Sequence, residues 1–320
     1  MLAFQVNDHD TPPALNTVDP PAPGPGQVAV RIAACGLNFA DLLMASGHYQ
    51  ERPPLPFTLG MELAGTITAL GAGVAAPGVG ARVAVFSGRG GLAEQGVFDA
   101  RRCVVIPDAM PFEQAAAFQV AYGTSHVALT RKARVQPGET LLVLGAAGGV
   151  GLTAVEIGKL MGARVIACAR GAAKLDVARA AGAHEVIDSD TEDLRAALRA
   201  MGGVDVVYDP VGGAPFRAAM GACRPEARIV IVGFASGDVP QVKANHLLVK
   251  NITLMGYYWG GYMAFRPEVL TESLRQLYDW YEEGRLKPHV SHTLPLSRAA
   301  EGLELLRSRA STGKVVITID

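Results

Sequence analysis

The chain is short of cysteine. Its 320 residues include only Cys35, Cys103, Cys168 and Cys223, far apart and without a C-x-x-C pair. They read as small buried hydrophobes of a reducing compartment, which argues against a thiol redox motif. Charge is scarce too. Charged residues make up 18% and hydrophobic residues 49%, so a disordered chain is excluded and a large core is available. The net charge is −1 and no arginine-rich tract is present, which argues against nucleic acid as the main partner. The amino terminus lacks a charged start followed by an apolar stretch, so no signal peptide is expected and a cytoplasmic setting is the default. The most apolar stretch, 140–155, is broken by glycine and too short to span a bilayer, so no membrane association is expected.

What is present is glycine in a telling place. The segment Leu141-Leu-Val-Leu-Gly145-Ala-Ala-Gly148-Gly149-Val150-Gly151 is an apolar run that breaks into a turn. Val150, Ala154, Ile157 and Met161 then recur at helical spacing, Gly162 stops the helix, and 164–169 reads as a second strand. Strand, glycine turn, helix and strand in that order hold a dinucleotide pyrophosphate. The glycines let the backbone approach the phosphates, and the helix N-terminus offers free N–H groups. Gly145, Gly148, Gly149, Val150 and Gly151 are therefore expected to bind the cofactor.

One further absence selects the nucleotide. Sites for NADH place Asp or Glu at the end of the second strand to hold the ribose 2′-hydroxyl. Between Leu160 and Lys174 there is no acid. Arg170 sits where the acid would be and Lys174 follows one helical turn later, two cations suited to a 2′-phosphate. NADPH is the expected cofactor. The stretch Val186-Ile-Asp188-Ser189-Asp190 works against this, because its acids would repel that phosphate.

The length suggests two domains. Short strand-like runs at 28–33, 63–70, 81–86 and 103–107 make the first part β-rich, and 113–129 is helical in propensity. From 140 to 256 strands alternate with helices. The strands are expected at 140–144, 164–169, 185–188, 204–208, 228–232 and 252–255. The helices are expected at 150–161, 172–181, 191–201 and 214–223. Six strands joined by crossover helices predict a doubly wound α/β fold. The tail carries helices at 268–283 and 297–308 and a last strand from Lys314. That strand is surplus to the nucleotide domain and is assigned back to the first domain. The expected boundaries are 1–119 with 257–320, and 120–256.

Several segments together resemble the zinc-free quinone oxidoreductase branch of the medium-chain dehydrogenase/reductase family. They are Ala34-Cys-Gly-Leu-Asn38-Phe-Ala-Asp41, Gly60-Met-Glu62-Leu-Ala-Gly65, Ala121-Tyr122-Gly-Thr124, Gly145 to Gly151, Asp205 to Gly213 and Gly233 to Gly237. The resemblance runs the whole length. It implies a GroES-like β-barrel catalytic domain, a Rossmann domain, a cleft between them and a homodimer formed along the sheet edge. The alcohol dehydrogenase branch has a zinc-ligating Cys where this chain has Asn38 and a His where it has Met61, so no metal is expected.

Without a Lewis acid, hydride transfer suits an acceptor that is already electron-poor, a quinone or an alkene conjugated to a carbonyl. Two catalytic residues are expected from the resemblance. Asn38 faces the nicotinamide, where its amide would hold the cofactor ribose or the substrate oxygen. Tyr49 lines the substrate cleft and either donates a proton or packs on a flat substrate. Thr124 is implied near the nicotinamide, and Arg309 is implied to approach the cofactor. Phe234, Tyr258 and Trp259, at the ends of late strands, are expected to wall the nicotinamide pocket. The small-molecule substrate is expected to be a quinone. An enone or enoyl thioester remains open, as does a catalytically silent nucleotide-binding protein.

Overall fold

The structure is a computed structural model that describes residues 1–320. The chain divides into two compact units, Met1–Val120 with Pro288–Asp320, and Ala121–Lys287. In chain order the first stretch carries β1 Leu2–Val6, β2 Ala14–Thr17, β3 Gln27–Gly36, α1 Phe39–Ala45, β4 Phe57–Thr58 and β5 Glu62–Leu70. It continues through β6 Arg82–Phe86, β7 Gln95–Asp99, β8 Cys103–Val105 and α2 Phe112–Ala116. The second unit holds α3 Gln119–Val127, all but its first two residues, then β9 Thr140–Leu144, α4 Gly149–Leu160, β10 Arg164–Ala169, α5 Ala172–Ala180 and β11 Glu185–Asp188. It goes on with α6 Leu194–Ala200, β12 Val204–Asp209, α7 Gly213–Ala222, β13 Cys223–Ile231, α8 Ala244–Leu248, β14 Thr253–Gly256, α9 Tyr262–Phe265 and α10 Pro267–Glu282. The chain closes with β15 Val290–Pro295, α11 Ala299–Arg307 and β16 Lys314–Thr318.

In the first unit a seven-stranded sheet follows the order β15-β16-β3-β5-β6-β8, with β7 also on β3. β3 is the hub. Its residues from Gln27 to Arg31 pair with β7, and Ala34 to Gly36 pair with β16. Its other edge pairs antiparallel with β5, with register shifts that bend the strand. The last strand thus belongs to the first unit's sheet. This is the GroES-like half of the fold.

In the second unit six parallel strands run in the order β11-β10-β9-β12-β13-β14. Every residue of β9 is buried, because helices cover both faces of a parallel sheet. The strand order reverses between β9 and β12. Ligands of such sheets bind in the crevice outside the carboxyl ends of the strands at that switch point. The helix expected from 191 begins only at Leu194, where the Asp193 carboxylate accepts the Ala196 N–H (3.0 Å) and caps it.

Two expectations on organisation need correction. Residues 257–287 lie in the second unit, not the first. The helix α10 buries Val269, Leu270, Ser273, Leu274, Leu277 and Tyr278, and Ser273 Oγ is 2.8 Å from Nδ1 of His126 on α3. The helix expected over 113–129 is broken. Ala117 and Phe118 close tight turns back onto Gln114 and Ala115, Phe118 is fully buried, and α3 then starts afresh. Beyond Val127 the chain winds into one π-helical turn, Ala128–Lys132.

Candidate active site

The glycine turn sits at the switch point. Gly145 takes a left-handed φ of 59°, and Gly148 is the N-cap of α4. A Cβ on Gly151 would lie 2.1 Å from the carbonyl oxygen of Gly145, so only glycine lets helix and turn meet. The first-turn N–H groups of α4, those of Gly149, Val150 and Gly151, have no acceptor within the helix. They form a positive end suited to phosphate. α3 is tied to this turn. Ser125 Oγ donates to the Val150 carbonyl (2.8 Å) and lies 3.0 Å from the buried Tyr208 hydroxyl. Thr124, next to it, is buried on α3. Such tethers hold the anion-binding end at a fixed distance from its supporting helix.

Arg170 is exposed at the carboxyl end of β10, and Lys174 is half-buried on α5. The acid feared at this position has a different use. Asp188 Oδ1 accepts the Gly171 N–H (3.1 Å) and the Asp190 N–H (3.0 Å). These two bonds hold its carboxyl below the usual range and fix the turn that carries Arg170. Of the three aromatic residues expected to wall a pocket, Phe234 (38% exposed) and Tyr258 (37%) are accessible. Trp259 is not. It is 5% exposed, with its indole 2.8 Å from where a Gly123 Cβ would stand, so it fills the space beside α3.

In the first unit the structure gathers four side chains from three separate stretches of the chain. Lys314, at the start of β16, donates from Nζ to the Leu37 carbonyl (2.7 Å), to Asn38 Oδ1 (2.7 Å) and to Glu62 Oε1 (2.8 Å). Asn38 Nδ2 donates to Glu62 Oε1 (3.0 Å) and to the Gly36 carbonyl (3.3 Å). Glu62 Oε2 accepts the Val120 N–H (2.9 Å). Asp41 Oδ2 accepts the Asn38 N–H (2.8 Å) at the start of α1. Glu62 and Lys314 are almost wholly buried, and Asn38 is half-buried. Both amide protons of Asn38 are therefore engaged by protein. The expectation that this amide donates to a substrate oxygen is corrected: Asn38 can only accept.

Tyr49 is half-buried in the loop after α1, and Arg309 is exposed after α11 with a left-handed φ of 57°. Lys314 and its pairing with Glu62 were missed in the sequence. The one signal was a lone cation opening an otherwise apolar strand, Lys314-Val-Val-Ile.

Asp41 is fully buried, its Oδ1 has no partner, and burial pushes its carboxyl from 3.8 up to about 7. The folded protein then keeps this proton through a pH range where the unfolded chain has lost it. Stability from this group is full below 3.8, falls as the pH rises and is gone above about 7. Asp41→Asn should flatten that slope in urea midpoints taken between pH 4 and 7. A slope equal to the parent's would assign it to another group.

No group of three or more His, Cys, Asp or Glu side chains is placed so that it could hold a metal ion, and no helix is long and apolar enough to cross a membrane.

Comparison with known proteins matches these halves. Residues 24–108 match the alcohol dehydrogenase GroES-like domain, and residues 149–277 match the zinc-binding dehydrogenase model. The chain is 38% identical over 312 residues to quinone oxidoreductase-like protein 2 of Bos taurus, covering 96% of this chain and 89% of the relative. It is similar to the Escherichia coli quinone oxidoreductase solved in complex with NADPH (31% identity, TM-score 0.91, 99% of this chain and 100% of that one). The quinone oxidoreductase of Thermus thermophilus, also solved with NADPH, has a TM-score of 0.87 at 31% identity, over 99% of this chain and 100% of that one. The chain belongs to the quinone oxidoreductase branch of the medium-chain dehydrogenase/reductase family.

Proposed function

We propose that the protein uses NADPH to reduce a quinone to its hydroquinone. The observation that carries the reading is the turn from Gly145 to Gly151. Its closeness would be filled by a single Cβ, and it aims free N–H groups outward beside an Arg170 with no acid in the NADH position. The E. coli and T. thermophilus relatives bind NADPH on the same fold.

Bound NADPH supplies a hydride, that is, two electrons and one proton. A quinone takes these and needs one further proton to become a hydroquinone. The residues of the second unit bind and orient. Gly149, Val150 and Gly151 present N–H groups to the pyrophosphate, and Arg170 and Lys174 take the 2′-phosphate. Phe234 and Tyr258 offer flat apolar faces. On the first unit, Tyr49 supplies the donor that Asn38 cannot be. A phenol is a proton donor at neutral pH and can serve as a general acid. Asn38 and Met61 stand where the alcohol dehydrogenase branch has zinc ligands, and neither type suits zinc.

The test follows oxidation of NADPH and NADH with benzoquinones, naphthoquinones, enones and enoyl thioesters side by side. Turnover with a thioester and none with quinones would replace the proposed substrate class. Arg170→Ala should cost about tenfold or more in kcat/KM for NADPH, the worth of one charge-assisted hydrogen bond, and leave NADH unaffected. An equal loss with both cofactors would remove Arg170 from the 2′-phosphate. For Tyr49→Phe a lower kcat at unchanged quinone KM is expected, whereas a higher KM alone would mean packing.

A homodimer in the cytoplasm completes the proposal. β14 is an edge strand of the six-stranded sheet, and Leu248 and Val249 beside it are 76% and 71% exposed. Exposed edges of this kind pair readily. The four cysteines are buried free thiols, in keeping with a reducing compartment.

A further inference from the structure

The bonds around Lys314 determine what Asn38 can recognise. An ammonium has three protons and no lone pair, and here each proton has its acceptor: the Leu37 carbonyl, Asn38 Oδ1 and Glu62 Oε1. Asn38 Nδ2 faces a carboxylate and a carbonyl, which both accept. Turning the amide over would set its N–H groups against the ammonium and its oxygen against the carboxylate. The neighbours thus fix which end is oxygen. The capacity left to this half-exposed side chain is as an acceptor at Oδ1, which the Asp41 N–H also faces in the capping box of α1.

We propose that Lys314 is a positioning residue that locks Asn38 as an obligate acceptor, so that this position of the active site takes a hydroxyl group and refuses a carbonyl oxygen. The inference rests on the functional reading above and deepens it. A quinone presents only acceptors and gains nothing from Asn38. A hydroquinone presents O–H donors, and so does a ribose of the cofactor. Either can supply the hydroxyl.

The lock works through charge. Glu62 is 1% exposed, and Lys314 is its cation. A buried carboxylate that loses its cation takes up a proton. A protonated Glu62 can donate, and the amide of Asn38 is then free to turn over. The other titratable groups facing this carboxylate are Asp41 on α1 and the Cys35 thiol on β3. Both remain in every variant below.

The experiment compares the parent, Lys314→Gln and the double variant Lys314→Gln/Glu62→Gln. Two arms are read at pH 6: inhibition by a hydroquinone against KM for its quinone, and NADPH binding. Lys314→Gln should weaken hydroquinone inhibition or NADPH binding about tenfold at pH 6, with quinone KM changed less than twofold. Loss in the first arm assigns the hydroxyl to the reduced product, and loss in the second assigns it to the cofactor. The double variant has neither the cation nor the carboxylate that fixes the amide and should be impaired in the same arm. It also leaves no carboxylate at position 62 stripped of its cation, so it serves if the single variant does not fold. The inference fails if neither arm changes, if quinone KM suffers equally, or if the double variant behaves like the parent in both arms. A parent protein that neither binds NADPH nor reduces quinones would refute the functional reading instead.

Discussion

Lys314→Met is expected to destabilise the first unit by about 3–5 kcal/mol, the usual cost of breaking a buried ion pair from one side. The methionine fills nearly the same volume, so the loss is electrostatic. It strands Glu62 Oε1 without its cation and leaves the Leu37 carbonyl and Asn38 Oδ1 short of a donor. The measurement is the urea midpoint of the transition that carries the first unit. Lys314→Met/Glu62→Leu removes both charges and should regain part of the loss, because no unpaired charge remains at the pair, while the Val120 N–H and Asn38 Nδ2 lose their acceptor. A single-variant loss below about 1 kcal/mol, the range of exposed pairs, would mean that water reaches the pair.

Gly151→Ala should abolish tight NADPH binding. The added Cβ would stand 2.1 Å from the Gly145 carbonyl oxygen and 2.8 Å from its carbon. Both are backbone atoms in a tight turn, so no side chain can swing aside. The turn and the first turn of α4 must separate, and the N–H groups lose their common aim. Loss of two hydrogen bonds to a charged phosphate, about 3 kcal/mol together, is about a hundredfold in Kd. Gly148→Ala is the comparison. Its Cβ would stand 3.4 Å from the same oxygen, an ordinary contact, and its φ of −80° suits any residue. The apo protein should keep its thermal midpoint with Gly148→Ala and lose several degrees with Gly151→Ala. Equal midpoints would show that the loop absorbs the extra methyl without moving.

The second unit was largely legible because its signals are local. A buried parallel strand is an apolar run, and a crossover helix repeats every three to four residues. The strands at Thr140–Leu144, Arg164–Ala169 and Glu185–Asp188 fall where the pattern puts them. The first unit was harder. β1, β2, β4, β7 and β15 were not anticipated, for they are short and carry mixed patterns. β2 is mostly exposed and β4 has two residues, so neither shows a buried face to read. The helix α10 has a clear amphipathic stripe, but a stripe does not name the surface it will cover, so its unit was misplaced.

By itself the sequence determined the doubly wound half, the glycine turn, the missing acid beside Arg170 and the family. All of these are written in neighbouring residues. Only the tertiary structure decided that Lys314 meets Asn38 and Glu62 across 276 and 252 positions of chain. It likewise decided that Trp259 lies buried against Gly123 and that Asn38 has no proton left to give. A hydrogen bond depends on distance and direction in space. Composition and spacing along the chain carry neither once the partners lie on strands brought together by the sheet.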